Sequence, residues 1–488
     1  MSFIDIVSII VWDYLWGVPL VVIILAVGLY ITVKTGFFQF TGFKTAMVHA
    51  YRSIFKKNNE DINDAGVLTP LEAMSVALGT TIGVGNIGGV ATAIAVGGPG
   101  AIFWMWVAAV FGLIIKMSEI SLAVYYRSKD RNNEAYGGPN YYIKKGIGEE
   151  KKMPKIAKIL SFIFAFGFMT GYFINIQTYT VAEAVANTFN LGMISVAVLY
   201  TVLLYFMISG GISSLGKIAA KLVPFMCIFY LAGGIFIIVR NIDALPETFG
   251  LIFGSAFTGT AAFGGFLGAS FSQAIKLGMS RSVFSNEAGW GSAPMIHASA
   301  KVDHPIKQGL MGIFEVFVDT FIVCSITALV IIITGQWSSG LDGATLTLSA
   351  FETGLGKLGR IILAVGVFLF GITTSSGVYA QIEVVVRYLA GDSPIKKSIL
   401  SFYKWTYPIP SLLMVIIAVY MGYPGTTVWI FSDASTALPI FANIIALFIL
   451  TPKFTELIKD YKARYLGIGK TDPNYKVFYD EKFKELNR

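Results

Sequence analysis

The chain has 488 residues, 55% of them hydrophobic and only 14% charged, with a formal net charge of +8. Soluble domains carry about 25% charged residues, so a chain this long and this poorly charged cannot clothe a water-facing surface and reads as an integral membrane protein. That composition argues against a soluble enzyme or a nucleic-acid-binding module, and makes the position of the basic residues more informative than their sum.

A spanning helix needs about 20 mostly apolar residues. In chain order, eleven runs qualify: roughly 15–33, 70–97, 101–126, 157–188, 191–209, 218–240, 250–279, 308–334, 358–389, 400–421 and 424–450. The leading stretch MSFIDIVSIIVWDYLWG has no basic region before its apolar part and no small-residue cleavage site, so no removable signal peptide is expected. Alternate connections (34–69, 127–158, 210–221, 276–307, 387–404 and the tail 451–488) hold 33 of the 37 lysines and arginines. Positive residues favour the cytoplasmic side, which predicts a multi-pass plasma-membrane protein, N-terminus outside and C-terminus in the cytoplasm. Cys227 and Cys324 lie in apolar runs and read as buried thiols. The three histidines, at 49, 297 and 304, are too scattered for a metal site.

The second span contains GTTIGVGNIGG, residues 79–89, in which Gly83, Gly85 and Gly88 spell a dinucleotide fingerprint. That fingerprint has meaning only between a strand and a helix, and apolar helical sequence flanks it on both sides here. Small residues that let helices approach closely are one reading. Five glycines in eleven residues, with Thr80, Thr81 and Asn86 among them, favour the other, a helix interrupted at membrane depth. A second Gly-rich stretch, GTAAFGGFLGAS at 259–270, interrupts the seventh span. With the first span set aside, the interruptions fall in the first helix of two five-helix sets of opposite orientation, the pattern of a transporter with its site near the midplane. The organisation is then an extra helix and connection over 1–69, repeats over 70–240 and 241–450, and a basic tail over 451–488.

An interrupted helix exposes N–H groups at one half and carbonyls at the other. The first can hold a carboxylate and the second an ammonium or a sodium ion, so a small zwitterion needs no fixed side-chain charge. Ionisable residues in or near the spans (Lys116, Glu119, Glu183, Glu315, Asp319, Glu383 and Asp433) suggest function by default. Lys116 and Glu119, three residues apart, read as a pair, and none of the seven falls in either Gly-rich stretch.

Residues 97–112, GGPGAIFWMWVAAVFG, and 285–294, SNEAGWGSAP, resemble the alanine or glycine:cation symporter family. The resemblance covers essentially all the spans and implies a leucine-transporter-type fold, all-α, with ten of the eleven transmembrane helices in a 5+5 inverted-repeat core with two broken helices. It implies sodium-driven import of alanine and often glycine, with sodium as coupling ion and no other cofactor. Carried onto this sequence, it implies one sodium held by the carbonyls of Gly79 and Ile82 and the hydroxyls of Thr373 and Thr374. Thr81 and Asn86 match a second sodium position. The backbone around Thr80, Val84 and Gly85 would meet the substrate carboxylate. Phe263, Gly264, Gly265 and Phe266 would line the side-chain pocket, with Gln177 and Phe173 as further contacts. Trp104 and Trp106 read as interface or packing residues, and SNEAGWGSAP as a cytoplasmic capping or gating loop. The implied partners are alanine or glycine, sodium and the lipid bilayer, without nucleic acid or an obligatory protein partner. A proton-coupled or exchanging transporter of the same fold is the rival; a membrane enzyme lacks a nucleophile–base or metal-ligand constellation, and a channel lacks a repeated filter motif.

Overall fold

A computed structural model describes residues 6–7, 9–55, 66–130, 134–258, 271–423 and 425–479. Helices dominate these residues, joined by one two-residue antiparallel hairpin, Ser128–Lys129 with Ala135–Tyr136. Eight helices are long and apolar enough to cross a bilayer, and a ninth span is formed by a pair bent by 45°, Pro70–Thr81 with Gly85–Gly97. The chain is thus a multi-pass helical membrane protein. Cys227 and Cys324 are buried free thiols.

The elements that matter below are α1 (Val18–Lys34), α2 (Phe43–Phe55), α3 (Pro70–Thr81), α4 (Val90–Gly97), α5 (Ala101–Tyr125), α6 (Pro154–Phe173), α7 (Ile176–Phe189), α8 (Met193–Ser209), α9 (Gly211–Arg240), α10 (Leu245–Thr258), α11 (Phe271–Asn286), α12 (Ala293–His297), α13 (Pro305–Val316), α14 (Ser325–Ile333), α15 (Gly343–Leu355), α16 (Lys357–Ala390), α17 (Lys396–Thr406), α18 (Pro408–Met421) and α19 (Gly425–Leu466). Helix α3 starts at a reciprocal cap: Glu72 N–H donates to Thr69 Oγ1 at 3.2 Å, Thr69 N–H donates to Glu72 Oε2 at 2.8 Å, and Pro70 fills the first turn.

Over 250–279 the chain forms two helices, α10 and α11, with the expected interruption at 259–270 outside the described residues. Helix α10 packs at the start of α5, where the Trp104 indole donates to the Ala256 carbonyl at 2.9 Å. Helix α11 runs antiparallel to the first broken helix. Near its start, a Cβ on Gly97 would lie 3.4 Å from Ala274 Cα. Beyond its far end, Lys301 N–H donates to the Leu68 carbonyl at 2.8 Å, just before α3 begins. SNEAGWGSAP, expected in a cytoplasmic connection, is therefore inside the bundle, with Ser285–Ala300 buried except for the partly exposed Trp290.

Helix α19 is 42 residues long, about 60 Å at 1.5 Å per residue, and so outruns a bilayer core of about 30 Å. Its far end, through Asp460, meets His304 at 3.2 Å. Burial pushes His304 down to about 4 from its usual 6.5, and does the same to His49 on α2. Both rings stay neutral in the folded protein between those values while the unfolded chain protonates them. Stability is full above pH 6.5 and falls as pH drops through 6.5 towards 4. Melting in detergent should therefore occur at lower temperature at pH 5 than at pH 7.5, with a smaller difference in His304→Gln.

Candidate functional site

The first interruption is built from GTTIGVGNIGG. Helix α3 ends at Thr81, Ile82 turns extended at ψ 92°, and a wider π-type turn over Gly85–Gly89 leads into α4. Asn86 holds the break together: its Oδ1 accepts the Gly83 N–H at 2.8 Å, and its amide nitrogen donates to Asp319 Oδ1 at 2.5 Å. Residues 73–91 are buried throughout. Irregular backbone survives at this depth only where protein or a wet cavity satisfies it, which these side chains accomplish. Gly83 is required by close approach, since a Cβ there would lie 2.7 Å from Thr374 Oγ1 on α16.

The second interruption lies at Glu287–Ser292, between α11 and α12. Gly289 and Gly291 adopt φ of 92° and 82°, and Glu287 holds φ 56°, unusual for a residue with a side chain. Asn286 Oδ1 accepts the Ala288 N–H at 3.0 Å, and Pro294 opens α12. The two interruptions touch. A Cβ on Gly85 would meet Phe284 Cδ1 at 3.1 Å, and Thr80 Oγ1 lies 3.5 Å from Glu287 Oε2.

Between them is a cavity with about 680 Å³ of empty space, counting its open side. Its wall takes Thr80, Thr81 and Gly83–Gly85 from the first break, and Phe284, Glu287 and Trp290 from the second. A third wall comes from Gly167, Phe168, Gly171 and Ile174–Gln177, where α6 gives way to α7. Asn175 forms that junction by accepting the Gln177 N–H at 3.1 Å and donating to the Tyr407 hydroxyl at 3.1 Å. Thr374, Val378, Ser432, Ser435 and Thr436 complete the lining.

The cavity carries uneven polar groups. Glu287 offers a carboxylate, held by the Ser292 hydroxyl at 2.5 Å. Gln177 Oε1 and Trp290 Nε1 are buried and make no hydrogen bond among the described residues. A buried unsatisfied donor or acceptor costs about 1–3 kcal/mol, so one of each beside a carboxylate describes a site completed by a polar ligand. The second break thus brings an acidic side chain to the cavity wall, where the sequence reading relies on backbone groups alone.

The residues expected from the sequence divide clearly. Thr80, Thr81, Val84, Gly85, Gln177 and Thr374 all line the cavity. Thr374 Oγ1 donates to the Gly79 carbonyl at 3.0 Å, and a Cβ on Gly79 would lie 3.3 Å from Thr373 Cβ, so these three positions adjoin. The Thr373 hydroxyl itself turns back to Leu369 and Phe370 carbonyls at 3.0 Å each. Ile82 is buried at the end of α3. Phe173 is not brought to the site; it is 61% exposed on the outer face. Phe263, Gly264, Gly265 and Phe266 lie outside the described residues. Thr81 and Asn86 are each engaged elsewhere: the Asn86 amide oxygen serves the Gly83 N–H, and the Thr81 hydroxyl accepts from Lys116 Nζ at 3.1 Å.

The buried charges also pair differently from their spacing. Lys116 reaches Glu315 Oε2 at 3.6 Å, whereas Glu119 accepts from the Asn443 amide. Above the cavity, Arg281 grips Asp433 with two hydrogen bonds of 3.1 and 2.9 Å. The Trp12 and Trp16 indoles, from the segment before α1, donate to the same Asp433 at 3.1 Å (Oδ2) and 2.6 Å (carbonyl). Trp106 donates to Ser325 Oγ at 2.8 Å, so both tryptophans of FWMW are spent on packing contacts. Sequence reasoning missed Glu287, Trp290 and Asn175. The signals for them were an acidic residue beside a Gly-Trp-Gly turn and an asparagine in the apolar run YFINI.

Comparison with known proteins follows the same lines. The sequence profile described as the sodium:alanine symporter family matches residues 1–475. The sodium/alanine symporter AgcS of Methanococcus maripaludis is 36% identical over 474 residues, covering 94% of this chain and 99% of that one. The probable sodium/glutamine symporter GlnT of Bacillus subtilis is 34% identical over 481 residues, covering 97% of this chain and 93% of that one. Among solved structures, a manganese transporter of Eremococcus coleocola aligns over 85% of this chain and 86% of its own at 12% identity, with a TM-score of 0.48.

Proposed function

The chain belongs to the sodium:alanine symporter family, and on that premise we propose that it imports small amino acids, alanine foremost and glycine next, by coupling to inward sodium movement. Cation-coupled amino-acid transport, not enzymatic chemistry, is the activity of the group. The observation that carries the finer reading is the meeting of two broken helices around a cavity bearing a carboxylate, an orphaned acceptor and an orphaned donor.

A zwitterion complements that set. Its ammonium faces Glu287 and Gln177 Oε1, while its carboxylate faces Trp290 Nε1 and the first N–H groups of the half-helix beginning near Val84 and Gly85. Phe168 and Phe284 close around a short side chain. One methylene more or less typically changes affinity by about 1–3 kcal/mol in such a pocket, so discrimination falls between small and large amino acids. The coupling ion sits beside it, among the Gly79 and Ile82 carbonyls and the Thr373 and Thr374 hydroxyls, hard oxygen ligands of the kind alkali cations take. The proximity of Thr374 to Gly79 supports this placement, and requires the hydroxyl to turn its lone pairs to the ion.

The antiparallel course of the two broken helices supports a 5+5 inverted core preceded by one extra helix. Adding α8 and the α11–α12 pair to the nine apolar spans gives eleven crossings, with the N-terminus outside and the tail in the cytoplasm. The first repeat then occupies 70–240 and the second lies within 241–450. Sodium favours the substrate-loaded conformation by its differential affinity, typically about 1–3 kcal/mol between linked sites.

Radiolabelled alanine uptake into proteoliposomes tests the proposal, with sodium replaced by choline and the pH gradient set independently. Uptake is expected to follow the sodium gradient at any pH gradient, with glycine competing well and glutamine poorly. Uptake driven by the pH gradient and indifferent to sodium would transfer the coupling role to a proton and make Glu287 its first candidate carrier.

A further inference from the structure

Resting on the sodium-coupled reading above, we propose that the Lys116 ammonium is a tethered cation occupying the place of a second coupling ion, so that each cycle carries a single sodium. Lys116 projects from α5 and is fully buried. Its Nζ lies 3.1 Å from the Thr81 hydroxyl at the end of α3, 2.8 Å from the Asn286 carbonyl at the end of α11, and 3.6 Å from Glu315 Oε2 on α13. A hydroxyl, a main-chain carbonyl and a carboxylate make a hard-oxygen set, drawn from both interruptions and the next helix. Those are the elements a coupling ion must tie together.

An ammonium suits this set because it has three donors, no acceptor and a compact charge. Glu315 is fixed as its counter-ion. The Gln308 amide nitrogen faces His297 Nδ1 at 2.6 Å, and His297 Nε2 faces Glu315 Oε1 at 2.7 Å. Glu315 is thereby held by the imidazole through one oxygen, while the other, which makes no hydrogen bond among the described residues, faces Lys116 Nζ at 3.6 Å. A sodium ion beside the Thr81 hydroxyl would confront that ammonium at close range. The lysine binds the two interruptions as an ion would but never leaves the protein, so it adds no driving force to import.

The test is the sodium-to-alanine ratio of the wild-type protein, read by dual-label flux and by static head with the membrane voltage clamped at zero. Against a tenfold sodium gradient, one coupled ion sustains an alanine accumulation of about 10-fold and two sustain about 100-fold. The proposal predicts a ratio of one and the lower plateau; a ratio of two overturns it. Absence of sodium dependence would instead sink the transport reading, a distinguishable result. Lys116→Arg keeps the charge and should keep the ratio. Lys116→Met should either lose sodium-driven uptake or change to a sigmoidal sodium dependence with a ratio of two. Wild-type rate and ratio in Lys116→Met would also overturn the proposal. Should that variant fail to reach the membrane, the wild-type ratio decides by itself.

Discussion

Glu287→Gln is expected to lower kcat/KM for alanine by about 100-fold, the consequence of losing about 3 kcal/mol in a charge-assisted contact to the substrate ammonium. The substitution is nearly isosteric, and its side-chain oxygen can still accept from the Ser292 hydroxyl that holds Glu287 now. Folding and membrane insertion should therefore survive, which separates a lost ligand contact from a lost structure. Initial uptake rates across a range of alanine concentrations, normalised to protein in the vesicles, give the answer. Unchanged kinetics would remove Glu287 from the binding site and leave its carboxylate a structural partner of the Gly-Trp-Gly turn.

The second large effect is expected on the ion. Thr374→Ala removes the hydroxyl that lies 3.0 Å from the Gly79 carbonyl. Loss of one oxygen from a small cation's shell at a cost of about 1.5–3 kcal/mol should raise the sodium concentration for half-maximal uptake about 10-fold or more. At saturating sodium the alanine KM should return towards normal, because the substrate contacts are made by other residues. Thr374→Ser retains the hydroxyl and should behave almost as wild type. A sodium titration of uptake at fixed alanine reads both. An equal loss in the serine and alanine variants would point to packing against Gly83, whose Cβ position is 2.7 Å from Thr374 Oγ1, as the reason for a threonine there.

The first interruption was legible because its glycines are too dense for close helix packing to account for them. Glycines dense enough to stop a helix, together with an asparagine able to cap the freed N–H of Gly83, mark a break. The break at Glu287–Ser292 was not read from the sequence, and the reason lies in α11. Its sequence, FSQAIKLGMSRSVFSN, carries Gln273, Lys276 and Arg281, and from residue 276 onward it is counted with a cytoplasmic connection. In the bundle those cations are paired. Lys276 meets Asp13 at 2.7 Å and Arg281 meets Asp433 at 2.9 Å. Two of the basic residues counted towards the cytoplasmic loops therefore pair with acidic residues of other segments, and Arg281 is buried. Hydropathy measures the cost of polar groups against lipid and is blind to partners supplied by other helices.

The same limitation explains the smaller departures. Spacing suggested that Lys116 and Glu119 face each other, but position along one helix cannot reveal that the second break brings an oxygen to the lysine and α19 an amide to the glutamate. Phe173 and Gln177 share a face of an ideal helix. Asn175 ends that helix between them, so Gln177 reaches the cavity while Phe173 faces outward. Thr374 was found through family resemblance alone, since TTSS within an apolar helix otherwise reads as ordinary hydroxyl-to-carbonyl bonding. Thr373 does bond in that way.

A density map of the purified protein in alanine and sodium chloride tests the central claim most directly. The account predicts a feature the size of alanine between Thr80–Gly85 and Glu287–Trp290, absent when choline replaces sodium. Density for alanine at another place in the bundle, with this cavity filled only by water, would contradict it.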